Sequence, residues 1–255
     1  MDLHIGIDLS LDSTGITFRR GDKTTFLAVL NIRKFTNAKG VNPDTILEDN
    51  IIANEDSVQV LKTLVSLDDV DIKFIHRPSV PTAKKAGLLD WQRAHIDSSI
   101  KLAKQIFDAM MDHIKKYHTA TDPMGIKINI ENYSYGSVSD NLIQVVELTC
   151  LLKNYILTNL IDSDSWYIVA GPTVKKFVGR GDYDKHDLLQ AFMRNDVDDK
   201  LMVNNPLIKT LKTLDDKCWD IRKKKGKEVK QVKSPIDDII DSYFMMVYLE
   251  EVYLA

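Results

Sequence analysis

Alternating apolar and polar residues predict β-strands at the start of the chain. Residues 3–8, LHIGID, alternate with a period of two, which places successive side chains on opposite faces of a strand. Residues 15–20 and 24–32 continue with β-rich segments, joined by short turns that contain Gly and Asp. The pattern predicts three consecutive strands that pair antiparallel.

Longer helical patterns follow this strand-rich start. From about Leu88 to Tyr117 apolar residues recur every three or four positions, the period of an amphipathic helix. The later predicted elements are a strand, a helix, a strand and two helices, at 126–131, about 138–161, 165–170, 182–194 and about 235–253. Antiparallel strands followed by alternating strands and helices indicate an α/β fold, with a mixed sheet flanked by helices.

The chain suits one domain with insertions. It has 255 residues, of which 44% are hydrophobic, enough for one full core spanning 1–255. Residues 36–87 scatter Asn, Asp and Pro among short apolar runs, and we interpret them as an insertion. No apolar run approaches the length of a membrane span, and two cysteines, Cys150 and Cys218, fit a reducing compartment. We expect an intracellular, cytoplasmic protein with no membrane partner.

Basic residues are concentrated in one short segment. The net charge is −3, but residues 222–233, RKKKGKEVKQVK, carry seven basic side chains against the single Glu228. Such a run is usually a solvated loop. Acids gathered in one place and bases in another also suit a metal-using enzyme with a polyanionic substrate, which makes Lys223, Lys224 and Lys225 candidate contacts to such a substrate.

Two carboxylates lie at the ends of predicted strands. In the first strand Leu3, Ile5 and Ile7 share one face, so Asp8 projects to the opposite side. The strand at 126–131, IKINIE, repeats this arrangement and ends with Glu131 on the face opposite its isoleucines. We therefore expect two acids at comparable strand ends.

Two further carboxylates lie on one face of the last predicted helix. Ser234 and Pro235 predict its start, with Ser as N-cap. Asp237 then lies in the first turn, and its simplest explanation is a favourable contact with the helix dipole. Asp238 and Asp241 are three residues apart, and Asp241 lies among apolar residues where an unpaired carboxylate is costly. Four acids without His or Cys favour Mg²⁺ or Mn²⁺ over zinc.

A basic segment precedes the predicted helix at 182–194. Residues 172–185, PTVKKFVGRGDYDK, place four cations around the glycines of a predicted turn. They are Lys175, Lys176, Arg180 and Lys185. A glycine-bearing turn at a helix start can hold a phosphate through its backbone N–H groups. A flexible turn with solvated lysines explains the same pattern. The acidic residues elsewhere in the chain favour the phosphate-binding interpretation.

Four blocks, IGIDLSLDSTG, INIENYSYG, GPTVKKFVGRGDYDK and SPIDDIIDSY, resemble in order the motifs of the RuvC-like Holliday junction resolvases, in the RNase H-like superfamily. The resemblance implies an RNase H-like sheet, the catalytic and metal-binding acids Asp8, Glu131, Asp238 and Asp241, and phosphate contacts by Lys175 and Lys185. In that family an aromatic residue soon after the second acid helps to open base pairs at the junction centre. The matching position in this chain is Ser134, and Tyr133 and Tyr135 flank it. Residues 36–87 and about 195–233 are longer than compact members need, which suggests a phage or viral relative.

The resemblance implies a Mg²⁺-dependent endonuclease, with Mn²⁺ able to substitute, that resolves four-way DNA junctions by two-metal phosphodiester hydrolysis. Because such junctions are two-fold symmetric, we expect a homodimer. The candidate interface is the helix at about 138–161, whose apolar surface is too broad for one stripe. Burial of that helix against the sheet explains the same surface.

Other functions remain open from sequence. The segment GIDLSLDSTG also looks like the first phosphate loop of the actin, Hsp70 and sugar-kinase fold, but this chain contains no Gly-Gly and is too short for the second half that this fold requires. A nuclease-like DNA-binding protein without catalysis is a second alternative. A nuclease acting on flaps, other branched DNA or RNA–DNA hybrids is the third.

Overall fold

Six strands form the central sheet of the computed structural model. It describes residues 1–36, 41–42, 45–47, 52, 55–78, 80, 87–118, 125–132, 140–224 and 227–255, without the side chains of 55, 56, 140–143, 224 and 227. Within these residues the strand order is β4-β3-β2-β1-β5-β6. The strands are Leu3–Asp8 (β1), Ser13–Arg20 (β2), Lys23–Asn31 (β3), Val70–Ile75 (β4), Ile126–Asn132 (β5) and Trp166–Ala170 (β6).

The strand directions bring five carboxyl-terminal strand ends to one edge of the sheet. β2 pairs antiparallel with both β1 and β3. β4 runs parallel to β3, β5 parallel to β1, and β6 parallel to β5. Therefore β1, β3, β4, β5 and β6 all end at the same edge, which we call the C-terminal edge.

Helices cover both faces of this sheet. They are Glu55–Val65 (α1), Leu88–Tyr117 (α2), Asp140–Asn159 (α3), Gly171–Val178 (α4), Lys185–Arg194 (α5), Pro206–Leu214 (α6) and Ile236–Tyr248 (α7). A hairpin of Trp219–Lys224 (β7) and Lys227–Val232 (β8) lies outside the main sheet. The last helix continues as a π-helical turn, Leu249–Tyr253.

The alternation along the strands divides the core into two layers. Leu3, Ile5 and Ile7 of β1 pack with the buried side chains of α2 and α3 on one face of the sheet. The buried residues of α4, α5, α6 and α7 form the core on the other face. Because alternate side chains point to opposite faces, Asp8 and Glu131 project to the face that α7 covers.

Two glycines allow α7 to lie directly on the sheet. A Cβ at Gly6 of β1 would collide with the backbone of Ser242 and Met246. A Cβ at Gly15 of β2 would collide with the backbone of Asp238. Glycine within a strand often marks such a close backbone approach, and here it brings the acids of α7 within reach of β1.

Much of the predicted architecture is confirmed. The three antiparallel strands, the helix from Leu88 to Tyr117, and the strands at 126–132 and 166–170 are all present. The chain is an α/β protein with a mixed sheet flanked by helices. Across the described parts of the chain, no helix is both long and apolar enough to cross a membrane.

Four local predictions differ from the structure. The 36–87 stretch, predicted without elements, contains α1 and the sheet strand β4. The basic run at 222–233 is largely a β-hairpin rather than a solvated loop. The predicted turn at 172–181 is mostly the helix α4, and α5 begins at Lys185 rather than near Asp182. Short helices and strands are not recognised from the sequence pattern, because too few positions repeat. In the structure, packing into the core stabilises α4 and β4.

The last helix begins one residue later than predicted. Pro235 occupies the N-cap position and makes no side-chain cap. Ser234 does not cap the helix, because its hydroxyl donates to Asp238 Oδ2 at 2.8 Å. The serine at the start of the helix therefore holds an acid of the candidate site.

Candidate active site

Asp8 and Glu131 lie side by side at the C-terminal edge. β1 and β5 are parallel neighbours with Ile7 paired to Ile130, so the next residue on each strand is the acid. Asp8 is buried, and the nearby charge of Glu131 is among the causes that raise its pKa. The strand-end positions expected from sequence are therefore those that the structure has.

Asp238 and Asp241 approach the same point from α7. Asp238 is buried, and its Oδ2 accepts hydrogen bonds from the hydroxyls of Ser13 and Ser234. Asp241, one helical turn further on, pairs with Lys185. The structure thus gathers all four predicted acids beside one another, with Asp238 fixed by two serines.

The ammonium group of Lys185 lies among these acids. Its Nζ donates to Asp241 Oδ2, and it lies 4.0 Å from Asp8 Oδ2 and 3.9 Å from Asp237 Oδ2. Lys185 is the first residue of α5, whose N-terminus is fixed by a capping box between Asp184 and Asp187. This lysine, expected from sequence to contact DNA phosphate, balances carboxylate charge in the structure.

Burial shifts the protonation of the whole cluster. Desolvation is the largest cause that raises the pKa of Asp8, Glu131 and Asp241, and their mutual repulsion adds to it. Attraction to Lys185 opposes the rise in each case. Burial alone would lower the pKa of Lys185, but the surrounding carboxylates outweigh it and raise that pKa. A cation at this point is therefore strongly favoured.

Asp237 belongs to the cluster although sequence indicated a dipole contact. Desolvation, followed by repulsion from Asp238, raises the pKa of Asp237 to about 7. Its Oδ1 is buried and has no hydrogen-bond partner among the described atoms. Helix spacing alone could not identify it, because its role depends on the neighbouring α5.

Gly171 and Lys175 of α4 shape the site around Glu131. A Cβ on Gly171 would overlap the Glu131 carboxylate, so glycine leaves the room that this side chain occupies. Lys175 donates to the backbone oxygen of Tyr183 at 2.7 Å, and its charge lowers the pKa of Glu131 and Asp241. Sequence analysis missed Gly171, and the one signal for it was a glycine directly after strand β6.

The donor set fits a hard divalent cation. All the converging ligands are carboxylate oxygens, which Mg²⁺ and Mn²⁺ prefer, and the unpartnered Oδ1 of Asp237 lies beside them. In the described part of the chain, ligand atoms within 4.8 Å of one another occur at Asp184, His186 and Asp187 instead. That group is partly used in the α5 capping box. A metal at the predicted acids therefore requires their carboxylates to close in.

The other predicted DNA contacts lie at different places around the site. Lys176 is exposed on α4, and Arg180 is exposed and pairs with Asp182. Lys223 is exposed on β7. Tyr133, Tyr135, Lys225 and the side chain of Lys224 lie outside the described residues.

The basic hairpin packs beside the start of α5. Trp219 of β7 contacts the ring of His186 edge-on, with centroids 4.8 Å apart. Lys230 of β8 lies with its Nζ 4.8 Å from the centre of the Trp219 ring. Because His186 follows Lys185 in the chain, Lys230 lies near the start of α5.

Comparison of the chain with protein-family models and with curated proteins gives no match. Its chemistry is therefore inferred from the side chains described above and from the motif resemblance.

Proposed function

We propose that this protein is a metal-dependent DNA endonuclease of the RuvC-like group that resolves four-way junctions. The observation that carries the proposal is the gathering of buried acids from β1, β5 and α7 around one cation, the ammonium group of Lys185. Buried like charges are unfavourable without such a partner. A fold that keeps them together is well suited to binding divalent metal.

The sheet supports an RNase H-like arrangement. Strands β3-β2-β1-β5-β6 combine three antiparallel strands with two parallel ones, and β4 extends the sheet beyond β3. Asp8 and Glu131 at adjacent strand ends, with Asp238 and Asp241 on a crossing helix, fit the acids of that superfamily.

Each side chain has a definite role in this proposal. Asp8, Glu131 and Asp241 offer carboxylate oxygens to Mg²⁺, for which Mn²⁺ can substitute, while Ser13 and Ser234 orient Asp238. Bound metal would supply an activated water and charge stabilisation at the leaving oxygen. Lys185 balances the acids before metal enters and then pairs with the DNA backbone, for which a flexible ammonium is suited.

Charge distribution supports a nucleic-acid substrate. The hairpin carries Arg222, Lys223 and Lys230, and Lys230 lies 3.5 Å from the ring of His186, the residue after Lys185. Phosphate contacts of this kind position DNA without selecting its sequence, which agrees with a substrate chosen by shape. Flaps and RNA–DNA hybrids are the alternative substrates of the same chemistry.

A homodimer remains part of the proposal, because paired nicks need two active sites. α3 buries Leu148, Leu152 and Ile156 in the core that it shares with α2 and β1, and Val146 is partly exposed. The helix thus has an inner face that is used and an outer face on which a second copy can pack.

Cleavage of labelled DNA tests the proposal. Four-way junction, flap, hybrid and linear duplex are incubated with the protein in Mg²⁺ or in chelator. We expect metal-dependent junction cleavage that Asp241→Asn lowers at least about 100-fold, while junction binding in chelator survives. The matched control is Asp164→Asn, an exposed acid before β6 at the opposite sheet edge. Normal cutting by Asp241→Asn contradicts the proposal, and binding without cutting by wild type supports the non-catalytic alternative.

A further inference from the structure

A cavity of about 520 Å³ opens at the C-terminal edge, beyond the ends of β3 and β4. Its lining includes Arg33 and Lys34, which follow β3, Arg77, which follows β4, and Trp91 on α2. Small-molecule sites commonly measure about 300–1,000 Å³. The cavity is therefore large enough for one nucleotide, and the proposed chemistry does not use it.

Cations dominate its lining. Arg33 and Lys34 are exposed, and no ion pair joins either of them to another described residue. Arg77 is held in place, because its Nη2 donates to Gln144 Oε1 at 2.7 Å and its Nη1 lies 3.9 Å from Asp12 Oδ1. Asp12 is the one acid among the described lining residues. Three cations against one exposed carboxylate favour a phosphate-bearing ligand.

An aromatic pair forms another wall of the cavity. Trp91 and His95, one turn apart on α2, meet edge to face with ring centroids 4.4 Å apart. Both side chains are partly exposed. This contact orients the indole, which is partly exposed and lines the cavity, where a planar ligand can contact it. Stacking on such a ring is open to any base, because every base has a π-face.

The cavity and the acid cluster share one sheet edge. β1, which carries Asp8, is separated from β3 only by β2, a sideways distance of about 10 Å at about 4.8 Å per strand. Asp8 is level with Ala28, and β3 continues three residues further to Asn31, so the two strand ends are roughly 14 Å apart at about 3.4 Å per residue. Lys34 connects the two regions electrostatically, because its charge lowers the pKa of Asp237. The cavity is lined from the α2 side of the sheet and the acids lie on the α7 side, so a single DNA strand that passes the acids reaches the cavity by crossing the C-terminal edge.

We infer that this cavity binds one unpaired nucleotide of the DNA strand being cut, with its base on Trp91 and its phosphate on Arg33 and Arg77. The inference rests on the proposed nuclease function and adds to it the means of selecting distorted DNA. At about 3.4 Å per stacked nucleotide, a separation of roughly 14 Å places the captured base about four nucleotides from the cleaved phosphate. Continuous duplex cannot present such a base without first being unpaired.

Binding measured in chelator tests the inference independently of cleavage. Single-stranded oligonucleotides carry 2-aminopurine at successive positions, and the probe's fluorescence is followed on addition of wild-type protein. We expect tighter binding of single strand than of matched duplex, and fluorescence quenching where the probe enters the cavity. Deoxynucleoside monophosphate serves as competitor, and strong binding of the free nucleotide alone would overturn capture of a DNA strand.

Substitutions of residues that line the cavity form the second part of the test. Trp91→Ala should weaken single-strand binding about 5- to 100-fold, whereas Trp91→Phe retains most of it. Leu89→Ala, an exposed residue on the same helix outside the cavity, is the matched control. Arg33→Gln should reduce the slope of log affinity against log salt by about 0.7, and Lys101→Gln should not.

The outcomes separate this inference from the proposed function. If Trp91→Ala binds within twofold of wild type and no probe position is quenched, the cavity inference is wrong even where junctions are cut. If quenching and the Trp91 effect are present but no DNA is cut in Mg²⁺ or Mn²⁺, the cavity stands and the nuclease proposal fails. The quenching experiment uses wild-type protein, so its result does not depend on whether any variant folds.

Discussion

Replacing Gly171 with alanine should damage the proposed catalysis without damaging the fold. The added Cβ would lie 2.2 Å from Glu131 Oε1, whereas ordinary contacts begin at 3.4 Å. The Glu131 carboxylate must therefore move by roughly 1 Å, and a displacement of that size can cost about 100-fold in rate. We expect metal-dependent cleavage to fall by about this factor.

Stability should change in the opposite direction. Gly171 is the first residue of α4, and the structure assigns it no left-handed backbone angle. Alanine is favoured over glycine in helices by about 1 kcal/mol, which offsets the movement of one partly buried side chain. Unfolding by urea should therefore show a midpoint equal to or above that of wild type.

Gly181→Ala is the matched control, because its Cβ would meet only ordinary contacts, the nearest at 3.6 Å. Single-turnover cleavage of a labelled junction and urea unfolding are measured on all three proteins. Cleavage by Gly171→Ala within twofold of wild type would refute the role given to Glu131. A large loss of stability would show that Gly171 serves the fold instead.

Three further predictions concern the hairpin, the histidines and the dimer. Changing Arg222, Lys223 and Lys230 to Gln should flatten the salt dependence of duplex affinity by nearly one unit for each phosphate that is no longer neutralised, and an unchanged slope would exclude the hairpin from binding. Burial, followed by repulsion from His113, lowers the pKa of His118 to about 4. Between pH 6.5 and 4 the unfolded chain therefore binds a proton at this histidine that the folded protein does not bind. The free energy of unfolding should fall by up to about 3 kcal/mol over that range. Replacing His118 with Gln should remove that part of the pH dependence in urea titrations, and equal pH profiles would contradict it. Val146→Glu should yield a folded monomer with poor paired cutting, whereas a wild-type monomer in sedimentation, with and without junction, would exclude the dimer.

Local sequence determined the strand ends and the faces on which the first two acids lie. Leu3, Ile5 and Ile7 must share one face of a strand, and the same alternation places Glu131 opposite its isoleucines. The antiparallel start and the long helix α2 were predictable for the same reason, since their periodic patterns extend over enough residues to be distinct. Two of the four acids could thus be placed without tertiary structure.

Short and charged elements were decided by packing. α4 has eight residues beginning with Gly-Pro, so its sequence indicates a turn, and only the burial of Val174 and Val178 makes it a helix. β7 and β8 carry lysines where strand patterns usually have apolar residues, and cross-strand pairing forms them. The spacing of apolar residues along the chain does not show which other elements a short helix or strand packs against or pairs with.

Only the tertiary structure decided what surrounds the acids. Lys185, Asp237 and Gly171 come from separate helices, and their roles depend on α4, α5 and α7 meeting at one sheet edge. The cavity likewise joins Arg33, Arg77 and Trp91 from three segments of the chain. A local pattern reports which way a side chain faces, whereas desolvation, charge balance and cavity shape depend on which elements meet, and that is determined by how the entire core packs.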